Sequence, residues 1–302
     1  MSAKLCELGF DVTGIDWMKF YEKRKNKNLH SLSIHPNFSF IEGDIRSDLP
    51  QESFDYVIHL AALAGVRASI ERPGLTMDVN VSGTATLLKW AVESSTKAVI
   101  YASSSSVYGI SKEVPWKENN LIEFPNSPYA VSKVTSEMLA KTYSRLFQIK
   151  ALGLRFFTVY GPGGREDMAM HKFLSWVSQG NELQMFGDGS SMRDYTYVDD
   201  IVDGILKSME YIKSKMGINE HEVFNLGNNT PHRLSDLIKI VEDVTKKKAI
   251  IEQLPDQLGD VPITYADLEK SIKRLGYSPK VDLKVGVTKT WEYMQHLLQS
   301  GD

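Results

Sequence analysis

The chain has 302 residues, 42% of them hydrophobic and 24% charged, with a formal net charge of −3. That length supports one large domain or two small ones with a sizeable core, and the composition excludes a disordered chain. The slightly acidic balance offers no basic surface for nucleic acid, and the one cysteine, Cys6, excludes an internal disulfide framework and fits a reducing compartment. No apolar run reaches the roughly 20 residues that span a bilayer, and the stretch 56–66 is interrupted by His59. The first residues carry no signal-peptide pattern, so a cytoplasmic protein without membrane contact is expected. The seven histidines have no ligand spacing, and no metal site is expected.

In chain order, residues 1–9 read as the middle of a helix, and no G-x-x-G-x-x-G precedes or follows them. Short β-rich runs then alternate with helical patterns: strands are expected at 11–15, 38–42, 56–60, 98–103, 151–157 and 222–226, and helices at 84–93 and 131–146. This alternation predicts an α/β fold, a Rossmann-like doubly wound parallel sheet, with ligands bound at the carboxyl ends of the strands. A dinucleotide fold of this kind needs a first strand and a glycine-rich turn. Without that strand the sheet is expected to leave two neighbours unpaired.

Several strand ends carry candidate cofactor contacts. Asp16 follows Gly14-Ile15, where a carboxylate suits a ribose diol. Asp44 and Ile45 close the next strand, the first for an adenine amine and the second for packing on the ring. Leu60, Ala61 and Ala62 follow His59 and let a ligand approach the backbone, and Asn80 opens a helix. The run Lys23-Arg24-Lys25-Asn26-Lys27 reads as a solvated loop. Beyond Phe157 the texture turns to Gly-Pro-Gly-Gly and polar loops. Residues 1–157, with 195–227, are therefore read as the dinucleotide-binding domain, and 158–194 with 228–302 as a smaller second region.

Tyr129 and Lys133 are the residues with the clearest chemistry. Four apart on a helix, they share one face. An ammonium beside a phenol favours the phenolate, which can take a proton from a sugar hydroxyl and return it. Y-x-x-x-K alone also fits an ordinary amphipathic helix. The serine run from Tyr101 to Gly109, Tyr-Ala-Ser-Ser-Ser-Ser-Val-Tyr-Gly, supplies the hydroxyl that makes the pair informative.

The motifs His-Leu-Ala-Ala (59–62), Ser-Ser-Ser-Ser-Val-Tyr-Gly (103–109), Tyr-Ala-Val-Ser-Lys (129–133), Arg-Phe-Phe-Thr-Val-Tyr-Gly-Pro (155–162), Arg-Asp-Tyr-Thr-Tyr-Val-Asp-Asp (193–200) and Gly-Asp-Val-Pro-Ile-Thr-Tyr-Ala-Asp (259–267) closely resemble the extended short-chain dehydrogenase/reductase family of NAD-dependent epimerases and dehydratases. Within it, Ala-Gly-Val-Arg (64–67) and the run from Thr158 to Ala169 look most like UDP-glucuronate 4-epimerases, here lacking the N-terminal strand and glycine-rich loop. The resemblance implies Ser104, Tyr129 and Lys133 as the catalytic set, with Tyr129 and Lys133 also against the NAD cofactor. It places Asp16 and Asp44 at the adenosine end, Arg193 at the substrate diphosphate and Asp260 at the uridine ribose. Thr158 and Arg165 match positions near the sugar's C6 carboxylate. It also implies a homodimer built on helices 84–93 and 131–146, and makes the second region the nucleotide-sugar-binding region.

Dehydratases of this family carry an Asp-Glu pair after the hydroxyl residue, and decarboxylases usually place a Glu before Val-Tyr-Gly. Here those positions are Ser105 and Ser106. The expected reaction is NAD-dependent 4-epimerisation of a UDP-sugar, UDP-glucuronate to UDP-galacturonate. The alternatives are a UDP-glucuronate decarboxylase, a neutral UDP-hexose 4-epimerase, or an inactive remnant that binds UDP-sugar but cannot hold NAD.

Overall fold

The computed structural model describes residues 1–111, 113–122 and 124–299. In chain order the elements are α1 (Ser2–Glu7), β1 (Val12–Asp16), α2 (Glu22–Leu32), β2 (Phe38–Glu42), β3 (Tyr56–His59), α3 (Val66–Glu71), α4 (Pro73–Met77), α5 (Gly83–Glu93), β4 (Ala98–Ser104), α6 (Pro128–Phe147), β5 (Lys150–Phe156), β6 (Thr158–Tyr160), α7 (Ala169–Gln179), β7 (Glu182–Phe186), β8 (Met192–Tyr197), α8 (Val198–Ser214), β9 (His221–Leu226), β10 (Pro231–Arg233), α9 (Leu234–Thr245), β11 (Ile250–Leu254), α10 (Glu269–Leu275) and α11 (Leu283–Gln299). A π-helical turn, Asp78–Ser82, joins α4 to α5, and a 3₁₀ turn, Ser105–Tyr108, follows β4.

The chain forms two compact units. The first comprises Met1–Val107, Ser127–Leu154 and Ser208–Val223; the second comprises Tyr108–Asn126, Arg155–Lys207 and Phe224–Asp302. In the first unit β4 reads Ala-Val-Ile-Tyr-Ala-Ser-Ser and is buried along nearly its whole length, the pattern of a central parallel strand covered on both faces. It pairs in parallel with β3, within a sheet of order β3-β4-β5-β9. Leu87, Leu88 and Ala91 of α5 and Ala140 of α6 pack with Val99 and Tyr101 of β4 to form the core here. The remaining strands of this unit, β1 and β2, pair in parallel as a separate two-stranded sheet, so β1 and β3 have no hydrogen-bonded neighbour on their other side among the described residues. These are the two unpaired neighbours expected above.

The second unit carries the antiparallel pair β10-β8, with β6 parallel to β8, and the parallel pair β11-β7. Its core gathers Tyr160, Phe173, Leu174, Val177, Leu237, Val241 and Val287. The 158–194 stretch therefore holds α7 and β7 rather than polar loop alone. The basic run at 23–27 also departs from the loop reading. It is the first part of α2, where Lys and Arg are good helix formers and no residue of the helix is buried. No helix among the described residues is long and apolar enough to cross a membrane.

Candidate active site

Helix α6 begins as its sequence dictates. Ser127 is extended and caps the helix, its hydroxyl accepting from the Ala130 N–H at 3.1 Å, and Pro128 occupies the first turn, where a missing N–H costs nothing. This start places Tyr129 in the first turn, where the helix dipole favours negative charge. Lys133 lies one turn on, and its Nζ is 5.8 Å from the centroid of the Tyr129 ring. Tyr129 is half-buried, whereas Lys133 is only 5% exposed.

The Lys133 ammonium donates to the Ala102 carbonyl of β4 at 2.7 Å, its one hydrogen bond among the described residues. Two of its N–H groups are thus unspent inside the protein. Burial pushes its pKa down to about 8, opposed by the negative charge of Glu137. Two residues beyond Ala102 stands Ser104, at the end of β4 and buried. Its hydroxyl donates to Ser106 Oγ and accepts from the Ser106 N–H, each at 3.1 Å. Ser105 is buried and Ser106 half-buried, so no carboxylic acid occupies the positions after the hydroxyl residue.

Asn80 sits on the π-helical turn. It accepts from the Leu63 N–H at 2.8 Å and donates to the Leu63 carbonyl and to Ser132 Oγ at 3.1 and 2.9 Å. Its amide therefore ties the segment carrying Leu60, Ala61 and Ala62 to α6. Leu60 is exposed, and Ala61 and Ala62 are half-buried. His59 is buried, with Nε2 3.0 Å from Thr84 Oγ1. The Thr84 hydroxyl spends its proton on the Asn80 carbonyl, so Nε2 is the protonated nitrogen and Nδ1 is a buried acceptor without a partner. Burial, with the nearby Lys133 charge, pushes the His59 pKa down to about 3 and keeps the ring neutral.

At the other strand ends, Asp16 Oδ1 accepts from the Met18 N–H at 2.7 Å and pairs with Lys25, leaving Oδ2 without a partner among the described residues. Asp44 is differently placed: both its oxygens accept from Arg46, which holds the carboxyl below its usual range, and Arg46 also pairs with Asp78. Ile45 is buried against α5; a Cβ on Gly83 would lie 2.8 Å from Ile45 Cδ1, so the glycine is what admits this side chain.

The residues expected on the sugar-nucleotide side all fall in the second unit. Thr158 opens β6 and is half-buried. Arg165 is held by Asp167, through Nε at 2.9 Å and Nη2 at 2.5 Å, a two-pronged grip. Arg193 lies on β8 and donates from Nη1 to the Met192 carbonyl at 2.9 Å; Asp260 is exposed. Glu137 and Asp194 are buried carboxyls that the sequence did not single out. Glu137, on α6, accepts from the Ser103 hydroxyl at 2.5 Å, and its only sequence signal is its place four residues beyond Lys133. Asp194 accepts from the backbone N–H groups of Asn228, Asn229 and Ala266, partners with no local signature.

Known proteins give this arrangement its relatives. The chain is 36% identical over 295 residues to UDP-glucuronate 4-epimerase of Thermodesulfobacterium geofontis, covering 95% of this chain and 89% of that one. The crystal structure of UDP-glucuronic acid 4-epimerase from Bacillus cereus with UDP-glucuronic acid and NAD superposes with a TM-score of 0.90 at 33% identity, covering 98% and 96%. A UDP-glucose 4-epimerase of Thermotoga maritima with UDP-glucose gives 0.87 at 31% identity, covering 98% and 94%. A family model matches residues 1–227, a stretch that contains the buried lysine, its tyrosine and the serine run, and the chain belongs to the NAD dependent epimerase/dehydratase family.

Proposed function

We propose that the protein is an NAD-dependent UDP-sugar 4-epimerase interconverting UDP-glucuronate and UDP-galacturonate. The observation that carries the reaction class is the buried Lys133 beside Tyr129, with serines at 104–106 where other chemistries need a carboxylic acid. The residues fit the cofactor at both ends. The unspent N–H groups of Lys133 suit a ribose diol, and the open Asp16 Oδ2 suits another. Asp44 offers an adenine amine only oxygens already shared with Arg46.

When bound, the nicotinamide supplies reversible two-electron oxidation at C4 of the sugar. Tyr129 takes the C4 hydroxyl proton and gives it back after the keto sugar has turned over. The Lys133 ammonium and the positive end of α6 stabilise the phenolate in between. Ser104 shares the same proton through its hydroxyl. Neither Ser105 nor Ser106 can protonate a leaving hydroxyl, which supports epimerisation over dehydration.

Oxidation at C4 turns a glucuronate into a β-keto acid, which loses CO2 unless its carboxylate is held. The Arg165 guanidinium, with Thr158, is assigned to that task, Arg193 to the diphosphate and Asp260 to the uridine ribose. The grip of Asp167 on Arg165 favours a second reading, a neutral UDP-hexose 4-epimerase, because it already answers the arginine's charge. Incubation with UDP-glucuronate and NAD, followed by NMR, decides: UDP-galacturonate is expected, release of CO2 with a pentose product would make it a decarboxylase, and turnover of UDP-glucose alone would overturn the uronate assignment. The protein is also proposed to be a cytoplasmic homodimer. The exposed apolar residues Val131, Met138, Leu146 and Phe147 on α6 support the dimer, which light scattering would check.

A further inference from the structure

We infer that Glu137 is a positioning residue for proton transfer: its buried carboxylate, one helical turn beyond Lys133, keeps the Lys133 ammonium charged and fixed beside Tyr129. The inference rests on the epimerase reading for its consequence, but not for its test.

Three consecutive residues of β4 carry the argument. The Ala102 carbonyl holds the Lys133 ammonium at 2.7 Å, the Ser103 hydroxyl holds the Glu137 carboxylate at 2.5 Å, and Ser104 presents the site hydroxyl. One strand thus grips a cation and an anion from the same face of α6, next to the group that works with them. Glu137 is 8% exposed and Lys133 5%. Burying either charge alone is costly, and a charge-neutral brace of the same shape would serve packing as well. A carboxylate is needed here only if the ammonium must stay protonated.

The surroundings leave this task to Glu137. Burial drives Lys133 towards its neutral form, and the Glu137 charge is the opposing influence. His59, at the end of β3, is neutral and cannot help. Tyr101 on β4 is engaged with His221. The charged groups on the other elements packed against α6 are Arg67 and Glu71 on α3, Asp78 on the π-helical turn, and Lys89 and Glu93 on α5. All of these are exposed, where water screens them.

The test reads Lys133 directly, without substrate or cofactor. In protein carrying 13C-labelled lysine, the Lys133 Cε resonance is assigned by its loss in Lys133→Arg and titrated by NMR. In Glu137→Gln, which keeps the shape and can still accept from Ser103, the Lys133 midpoint is expected to fall by about one pH unit or more. In Ser103→Ala, which removes the bond but keeps the charge, no such fall is expected. In active protein the alkaline limb of kcat should move down by the same amount in Glu137→Gln, with KM little changed. A merely structural carboxylate would lower the melting temperature and leave the midpoint in place. Should Glu137→Gln not fold, Glu137→Asp withdraws the charge by one methylene and must lower the midpoint by a smaller step. An unmoved midpoint in either folded variant overturns the inference. A shifted midpoint in a protein that makes no epimer would overturn the epimerase reading instead.

Discussion

Replacing Lys133 by Met separates what this residue does for the reaction from what it costs the fold. The Nζ–ring centroid separation is 5.8 Å, and at an effective dielectric of about 20 two charges at that distance interact by about 3 kcal/mol. Losing that attraction withdraws about 3 kcal/mol from the state in which Tyr129 has given up its proton, so kcat should fall by about 100-fold. Stability should move the other way. Burial lowers the Lys133 pKa from 10.5 to about 8, so over that interval the unfolded chain holds a proton the folded one has lost. Folding therefore carries a penalty of about 3 kcal/mol below pH 8 that fades as pH rises towards 10.5. Met deletes the penalty and forfeits the hydrogen bond to the Ala102 carbonyl, worth about 1 kcal/mol. The variant should be more stable than the wild type by about 2 kcal/mol at pH 7 in urea unfolding, and the advantage should vanish by about pH 10. A variant less stable than wild type at pH 7, or one that keeps more than about a tenth of kcat, would refute the account of Lys133 as a buried, strained cation.

Other substitutions test neighbouring steps. Tyr129→Phe removes the proton carrier and should lower kcat by about 10³-fold with KM nearly constant, measured on UDP-glucuronate. Arg165→Ala should raise KM for the uronate by about 2 kcal/mol of lost charge-assisted bonding while leaving a neutral UDP-hexose unaffected; Asp167→Asn, which removes the negative charge beside the guanidinium, should lower it. Gly286→Ala would ordinarily favour helix α11, but its Cβ would sit 2.1 Å from the Tyr160 Oη in the core of the second unit. A net loss of about 2 kcal/mol is expected in chemical denaturation, and a gain would mean that the tyrosine yields freely.

The strands were the most legible part of the sequence. Each expected run at 11–15, 38–42, 56–60, 98–103, 151–157 and 222–226 lies within about a residue of an observed strand, because short β-rich runs bounded by turn residues are the local signature of a strand. The Tyr129 helix was legible for the same local reason: Ser127-Pro128 is a start signal. Helix α7 was not, since Gly-Pro-Gly-Gly at its approach outweighed the spacing of Phe173, Leu174 and Val177. Nor was the role of Asp194. Its true partners are backbone amides some 34 to 72 residues further along the chain, and only folding brings them together. The packing of Ile45 against α5 has no local signal either, since it depends on Gly83, on a different helix.

A division of labour follows from where the residues fall. Ser104, Tyr129, Lys133, Glu137 and His59 all belong to the first unit, and Thr158, Arg165, Arg193 and Asp260 to the second. The proposed proton-transfer group is built from one strand and one helix, β4 and α6, whose mutual grip through Ala102 and Ser103 does not involve any residue of the second unit. The positions proposed to select the sugar lie on β6, on β8 and in loops, where a side chain can change without disturbing that grip. Substitutions at Arg165 should therefore alter which sugar is accepted while the pH dependence set by Lys133 stays fixed. A pH profile that moved with Arg165 would mean that the two sets of residues are electrostatically one site.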